Sequence, residues 1–150
     1  MQVSWHIRTW SEITAEELYN LLKLRINVFV VEQNCPYPEC DDKDKKSTHL
    51  FACDEMGEVH ACLRIVEAGV SYTEISIGRV ATSLTSRGTG LGKELMARGL
   101  EYIRLTHGAV PVRISAQLYL QKFYESFGFV AEGEVYPEDD IPHIEMALKS

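Results

Sequence analysis

The chain has 150 residues, 45% of them hydrophobic, a size that fits one compact domain rather than two. Its 22 acidic and 15 basic side chains give a formal net charge of -7 at pH 7, which excludes nucleic acid as the expected partner, because phosphate neutralisation demands a basic excess. No run approaches the ~20 apolar residues of a membrane-spanning helix, and the first residues lack the basic-then-apolar order of a secretory signal, so a cytoplasmic protein that does not engage a membrane is expected.

Val3, Trp5 and Ile7 alternate with polar neighbours, which predicts a short half-buried strand. Thr14 followed by Glu17 makes a capping box, and Leu18, Leu21, Leu22, Arg25, Val28 and Phe29 continue at helical spacing toward Glu32, with Pro36 and Pro38 ending the helix. Arg25 falls on the apolar stripe of that helix. Its guanidinium therefore needs a carboxylate, from Glu32, from Asp41 to Asp44, or from a substrate. The basic stretch Lys43 to Lys46, interrupted by Asp44, reads as a solvated loop. His49 to Cys53 and Val59 to Val66 are strand-like around the turn-forming set Asp54 to Gly57, which predicts a hairpin. Glu74 to Leu84, rich in β-branched residues, is a further strand. From Gly90 the period changes, and Leu91, Leu95, Met96, Leu100 and Ile103 predict an amphipathic helix to about Leu105. A strand at Val112 to Ala116, a helix from Leu118 to Phe127 closed by Gly128, and strands at Phe129 to Val135 and Ile141 to Leu148 complete a mixed α/β order without repeats or linkers. Cys35, Cys40, Cys53 and Cys62 form no C-x-x-C pair. A zinc site from Cys35, Cys40, His49 and Cys53 is weighed against reduced thiols packed as small hydrophobes, and the thiols are preferred, with no metal expected.

The segment 77-IGRVATSLTSRGTGLGKELM-96 carries the chemistry: a strand delivers a glycine-rich turn into the first turn of a helix. The first helical N–H groups lack intrahelical partners, the helix dipole adds positive charge, and glycines let a phosphate approach the backbone. A pyrophosphate or similar polyanion is the expected ligand. A Walker A loop is excluded because Gly92-Lys93 is preceded at the required distance by Arg87 and followed by Glu94. A dinucleotide fingerprint starting from Gly88 and Gly90 would need glycine where Lys93 stands.

Arg87-x-x-Gly90-x-Gly92 resembles the CoA-binding signature of the GNAT acyltransferases, which opens a helix after the central strand. The segment 118-LYLQKFYESFGF-129 is similar to a second motif of that family, and the order of elements agrees over nearly the whole chain. Within the superfamily, 25-RINVFVVEQNCPYPECDD-42 and 141-IPHIEM-146 resemble the ElaA-like branch. The resemblance implies a mixed, mostly antiparallel central sheet of about seven strands flanked by helices. It also implies acetyl-CoA as cosubstrate, held between two splayed strands, and direct attack on the thioester by a small-molecule or peptide amine. Carried over by position, Arg87, Gly88, Thr89, Gly90, Leu91, Gly92 and Lys93 cradle the pyrophosphate. Val80, Ala81 and Thr82 run beside the pantetheine arm, with the N–H near Val80 polarising the thioester carbonyl. Gln117 lies against the pantetheine, and Tyr124 protonates the departing thiolate. Tyr124 also belongs to the stripe Leu120, Phe123, Tyr124 and Phe127, whose ordinary role is packing. A homodimer is the assembly that the resemblance suggests.

An attacking amine must first lose a proton, because an alkylammonium with a pKa of roughly 10.4 is mostly charged at neutral pH. Glu32 and His143 are the leading candidates for the base, ahead of Glu74 and His49, and imidazole is the side chain that needs least tuning for the task. The acidic loops at 39–44 and 138–140 suit attraction of a cationic amine, although such loops commonly only solvate. Two rival readings remain open. One is an acyl-homoserine-lactone synthase, whose N-terminal pattern is broadly similar to 25-RINVFVVEQ; the other is a module that binds acyl-CoA without turnover.

Overall fold

The computed structural model describes residues 2–149. Seven strands form one sheet: β1 (Ser4–Thr9), β2 (Ser47–Cys53), β3 (Val59–Val66), β4 (Ile75–Thr82), β5 (Val112–Gln117), β6 (Val130–Glu138) and β7 (Ile141–Leu148), in spatial order β1-β2-β3-β4-β5-β7-β6. Every neighbouring pair is antiparallel except β4 with β5. The helices are α1 (Ala15–Ile26), α2 (Leu91–His107) and α3 (Gln121–Glu125).

Helix α1 starts where the capping box predicts, with Thr14 accepting from the Glu17 N–H and the Glu17 carboxylate accepting from the Thr14 N–H. The chain then continues as a wider π turn over Asn27–Glu32, which a run of helical spacing does not signal. Lys43–Lys46, read as a solvated loop, is a 3-10 turn with Asp44 buried on its inner side. The helix expected over Leu118 to Phe127 is shorter: a 3-10 turn at Leu118–Leu120 leads into α3.

Apolar side chains fill both faces of the sheet. On one, Leu95, Met96 and Ile103 of α2 and Tyr124 of α3 pack against Leu50, Leu63, Ile77, Ile114 and Met146. On the other, Leu21 and Leu24 of α1 and Val28 cover Phe51, Val59, Cys62 and Ala81. Gly99 permits close seating of α2, because a Cβ there would stand 3.0 Å from Leu63 Cδ2.

Two irregularities shape the centre. Strands β4 and β5 pair only at Ile75 with Val112 and Ser76 with Arg113. Beyond that point the strands diverge, leaving β4 from Ile77 and β5 from Ile114 without each other as ladder partners. Register also slips between Cys62 and Arg64 against β4, where Arg79 takes a left-handed φ of 50°, the geometry of a bulge that bends a strand and re-aims its side chains.

Candidate acyl-transfer site

The opening between β4 and β5 is a cavity of about 430 Å³. Val80, Ala81 and Thr82 line it from β4, Gln117 and Ser115 from β5, Tyr124 and Phe123 from α3, Glu32 and Gln33 from the π turn, and Glu138 and His143 from the β6–β7 end of the sheet. The fold thus gathers Val80, Ala81, Thr82, Arg87, Gly92, Gln117, Tyr124, Glu32 and His143 around one space. Glu74 and His49 lie elsewhere: Glu74 pairs with Arg113 at 3.0 Å, and the fully buried His49 directs Nε2 to the Asp44 carbonyl at 3.0 Å. Burial pushes the His49 imidazole pKa down, so it sits neutral in the packing.

At the other mouth of the cavity the glycine-rich turn enters α2. Gly88 and Gly90 have φ of 80° and 85°, a region glycine adopts without strain, and Gly90 serves as N-cap with no side-chain cap. No protein atom lies within 4 Å of where a Cβ would stand at either glycine. Unsatisfied N–H groups, the positive end of a helix dipole and open space above the backbone together suit the approach of an anion. Two short links hold the turn. Ser86 Oγ donates to the Ser83 carbonyl at 2.9 Å, and His60 bridges Ser83 Oγ and the Asp54 carboxylate, both at 2.8 Å. Sequence reading missed His60 because nothing local relates it to a loop more than twenty residues away.

Arg87 makes a bidentate pair with Glu32, at 2.8 and 2.7 Å, and also reaches the Thr82 carbonyl at 3.1 Å. Both oxygens of Glu32 are therefore committed to Arg87, on the side of the cavity where the glycine-rich turn lies. His143 is 6% exposed, and its Nδ1 lies 2.7 Å from the Ile141 carbonyl. Because a carbonyl only accepts, this contact places a proton on Nδ1 and turns Nε2 toward the Glu138 carboxylate. Glu138 Oε2 stands 3.4 Å from Nε2, placed to stabilise an imidazolium. Ser115 Oγ bonds the Tyr136 hydroxyl and donates to Glu138 at 3.3 Å. Glu138, Ser115 and Tyr136 went unrecognised as site residues; only the acidity of the 138–140 turn was legible.

Tyr124 is 6% exposed, and burial, with Tyr119 adding to it, raises its phenol pKa well above the ordinary value. It therefore remains a proton donor at all physiological pH. Gln33 and Gln117 exchange reciprocal amide hydrogen bonds at 3.2 Å across the cavity. Cys35 is buried and donates to the Asp139 carbonyl at 3.4 Å, fastening the segment after the π turn to the β6–β7 turn.

A buried ion network reaches the cavity wall at Arg79. Arg25 donates from Nε to Glu39 at 2.6 Å and from Nη1 to Asp44 at 2.8 Å. Arg64 holds Asp41 at 2.6 Å and Asp44 at 3.1 Å, and Arg79 holds Glu39 at 2.8 Å and Asp41 at 3.4 Å. The partners of Arg25 are thus Glu39 and Asp44, with Glu32 turned away to Arg87.

A family model described as Acetyltransferase (GNAT) domain matches residues 12–150. Protein ElaA of Escherichia coli strain K12 is 42% identical over 147 residues, covering 97% of this chain and 95% of that protein. Among solved structures, an acyl-CoA N-acyltransferase from Pseudomonas aeruginosa matches with a TM-score of 0.92 at 44% identity, covering 98% of this chain and 99% of that one. Escherichia coli ElaA matches with a TM-score of 0.91 at 40% identity, again over 98% and 99% of the two chains.

Proposed function

Since the chain belongs to the GNAT acetyltransferase family, we propose that it is an acetyl-CoA-dependent N-acetyltransferase acting on an amine by direct attack. The observation that carries this reading is the divergence of β4 from β5 beside an uncapped helix start: a slot for an extended thioester arm ends at a seat for its pyrophosphate. Both halves are needed by a CoA ester, and a free nucleotide would use only one.

In this reading the backbone N–H groups of Gly88, Gly90, Leu91 and Gly92 bind the pyrophosphate, with Lys93 adding charge and Arg87, paired with Glu32, bordering the seat. The pantetheine lies along Val80, Ala81 and Thr82, where β4 has lost its β5 partner and offers backbone groups to an amide chain. The N–H near Val80 polarises the thioester carbonyl. His143, held by its Nδ1 contact with the Ile141 carbonyl and with Nε2 beside the Glu138 carboxylate, takes a proton from the acceptor ammonium. The amine nitrogen then bonds to the acyl carbon, the carbon–sulfur bond breaks, and Tyr124 gives its proton to the thiolate. Glu32 is assigned to holding Arg87 rather than to the base, because both of its oxygens are already engaged.

Thermal unfolding with acetyl-CoA, free CoA, ATP and NAD tests the ligand. A ligand at one hundred times its dissociation constant stabilises the native state by about 2.7 kcal/mol. Acetyl-CoA and CoA are expected to raise Tm, and the Gly90→Glu variant, which fills the space above the turn with a carboxylate, is expected to lose that rise. A rise with ATP or NAD and none with CoA would remove the acyltransferase reading.

A further inference from the structure

Resting on the acyltransferase reading, we propose that the acceptor is an aliphatic diamine or polyamine, whose second ammonium docks on the carboxylates around Arg113. The cavity contains two arginines among its described lining residues, and neither is free. Arg79 is committed to Glu39 and Asp41, and Arg87 to Glu32. In the ion network below, the three guanidinium groups of Arg25, Arg64 and Arg79 face the three carboxylates of Glu39, Asp41 and Asp44. The network is internally neutral and has no positive charge to spare for an acceptor carboxylate. Free amino acids and other anionic amines are therefore poorly matched to this cavity.

The sheet face leading out of the acceptor end has the opposite imbalance. Along β5, Gln117, Ser115 and Arg113 share one face, with His143 opposite Gln117 and Glu145 opposite Ser115 on β7, and Glu132 beside Glu145 on β6. Glu74, Glu132 and Glu145 all converge on the single Arg113 guanidinium, at 3.0, 3.0 and 3.2 Å. One positive charge is shared among three negative ones, so two carboxylate charges remain uncompensated on a half-exposed surface. Such an arrangement stabilises a second cation that arrives from solvent. Glu138 extends the negative surface to the His143 side chain itself.

The spacing sets the class of molecule. The Ser115, Glu145 and Glu132 row lies two strand residues from the Gln117 and His143 row, or about 7 Å at the usual rise of a strand. A short alkyl chain between two nitrogens spans that gap. One ammonium would lose its proton to His143 and attack the thioester, while the other stays charged on Glu132 and Glu145. Only the first nitrogen forms a bond to the acyl carbon, and CoA leaves as the thiol, so the product is a monoacetylated amine.

Thiol release at saturating acetyl-CoA, measured with putrescine, n-butylamine and γ-aminobutyrate, tests this directly. These probes share a four-carbon chain and differ in the distal group, which is cationic, neutral or anionic. We expect kcat/KM for putrescine to exceed that for n-butylamine by about tenfold or more, with γ-aminobutyrate lowest. The putrescine advantage should shrink with added salt as screening sets in. Glu132→Gln and Glu145→Gln, made singly, should each reduce the putrescine to n-butylamine ratio. Both side chains are more than one-third exposed, so either variant is compatible with folding, and the acetyl-CoA shift in Tm reports that it has folded. Equal turnover of the three probes, preference for γ-aminobutyrate, or turnover of none while acetyl-CoA still raises Tm would overturn the diamine assignment and leave CoA binding intact. Failure of acetyl-CoA to raise Tm would instead strike the acyltransferase reading on which the assignment rests.

Discussion

At the scale of single residues, the site separates three groups that the sequence presents as equals. Tyr124 belongs to a packing stripe and also lines the cavity. Replacing it with Phe keeps the ring and removes only the proton. Tyr124→Phe is therefore expected to lower kcat by about 10²-fold or more, the usual contribution of a general acid, while the acetyl-CoA dissociation constant stays within a few-fold. A calorimetric titration beside the rate assay separates these outcomes, and a fall in affinity with unchanged kcat would make Tyr124 a packing residue. His143 and Glu32 differ by their partners. His143→Gln should cost a similar factor in kcat, whereas Glu32→Gln frees Arg87 and removes a negative charge beside the pyrophosphate seat. An exposed pair of this kind is worth about 0.2–1 kcal/mol, so Glu32→Gln is expected to tighten acetyl-CoA binding by at most about fivefold. Collapse of kcat in Glu32→Gln alone would move the base to that carboxylate.

At the scale of elements, most of the fold was legible because periodicity and end signals are local. The capping box at Thr14, the hairpin around Asp54 to Gly57 and the glycine entry to α2 appear where residue types require them. Three features had no such signal. The π turn over Asn27–Glu32 uses the same apolar spacing as a helix, yet its wider path brings Glu32 to the cavity rim. Arg79 adopts positive φ without being glycine or asparagine, so the bulge that bends β4 is set by tertiary contacts, chiefly its pairing with Glu39 and Asp41. The loss of pairing between β4 and β5 leaves no trace in either strand's composition and was inferred only from resemblance. Gly99 is the element-scale feature most open to test. It sits mid-helix, where glycine costs about 1 kcal/mol relative to alanine, and is kept because Leu63 occupies the space of a side chain. Gly99→Val should push α2 away from β3 and destabilise the protein by about 1–3 kcal/mol, the usual cost of overpacking, as read from urea unfolding. A neutral result would mean that Leu63 can swing aside.

For the molecule as a whole, the network of Arg25, Arg64 and Arg79 with Glu39, Asp41 and Asp44 ties α1, the loop after the π turn, β3 and β4 into one unit beneath the acceptor end. The sequence announced half of it: an arginine on the apolar stripe of α1 had to meet a carboxylate. Which carboxylate was a tertiary matter, because Asp44 reaches Arg25 only through a 3-10 turn and Glu39 only through the segment anchored by Cys35. The network also governs behaviour in acid. Burial alone would raise the carboxyl pKa values of Asp41 and Asp44, but hydrogen bonds and charge from Arg64 and Arg79 at Asp41, and from Arg25 and Arg64 at Asp44, outweigh it and hold both below the usual range. Lowered folded-state values mean that the unfolded chain takes up protons first as pH falls. The stability these groups supply is complete above the unfolded aspartate value of about 3.9 and is lost progressively below it. The network's contribution to Tm should therefore hold level from neutrality to about pH 4 and then fall steeply. Arg25→Met should lower stability already at neutral pH by about 3–5 kcal/mol, because it leaves the buried carboxylates of Glu39, Asp41 and Asp44 with only Arg64 and Arg79 to balance them. Protonating the excess acid relieves that penalty, so the gap between wild type and Arg25→Met should narrow as the pH drops. A gap that stays constant from neutral pH down to about pH 3 would show that Arg25 acts by packing and that its charge contributes little.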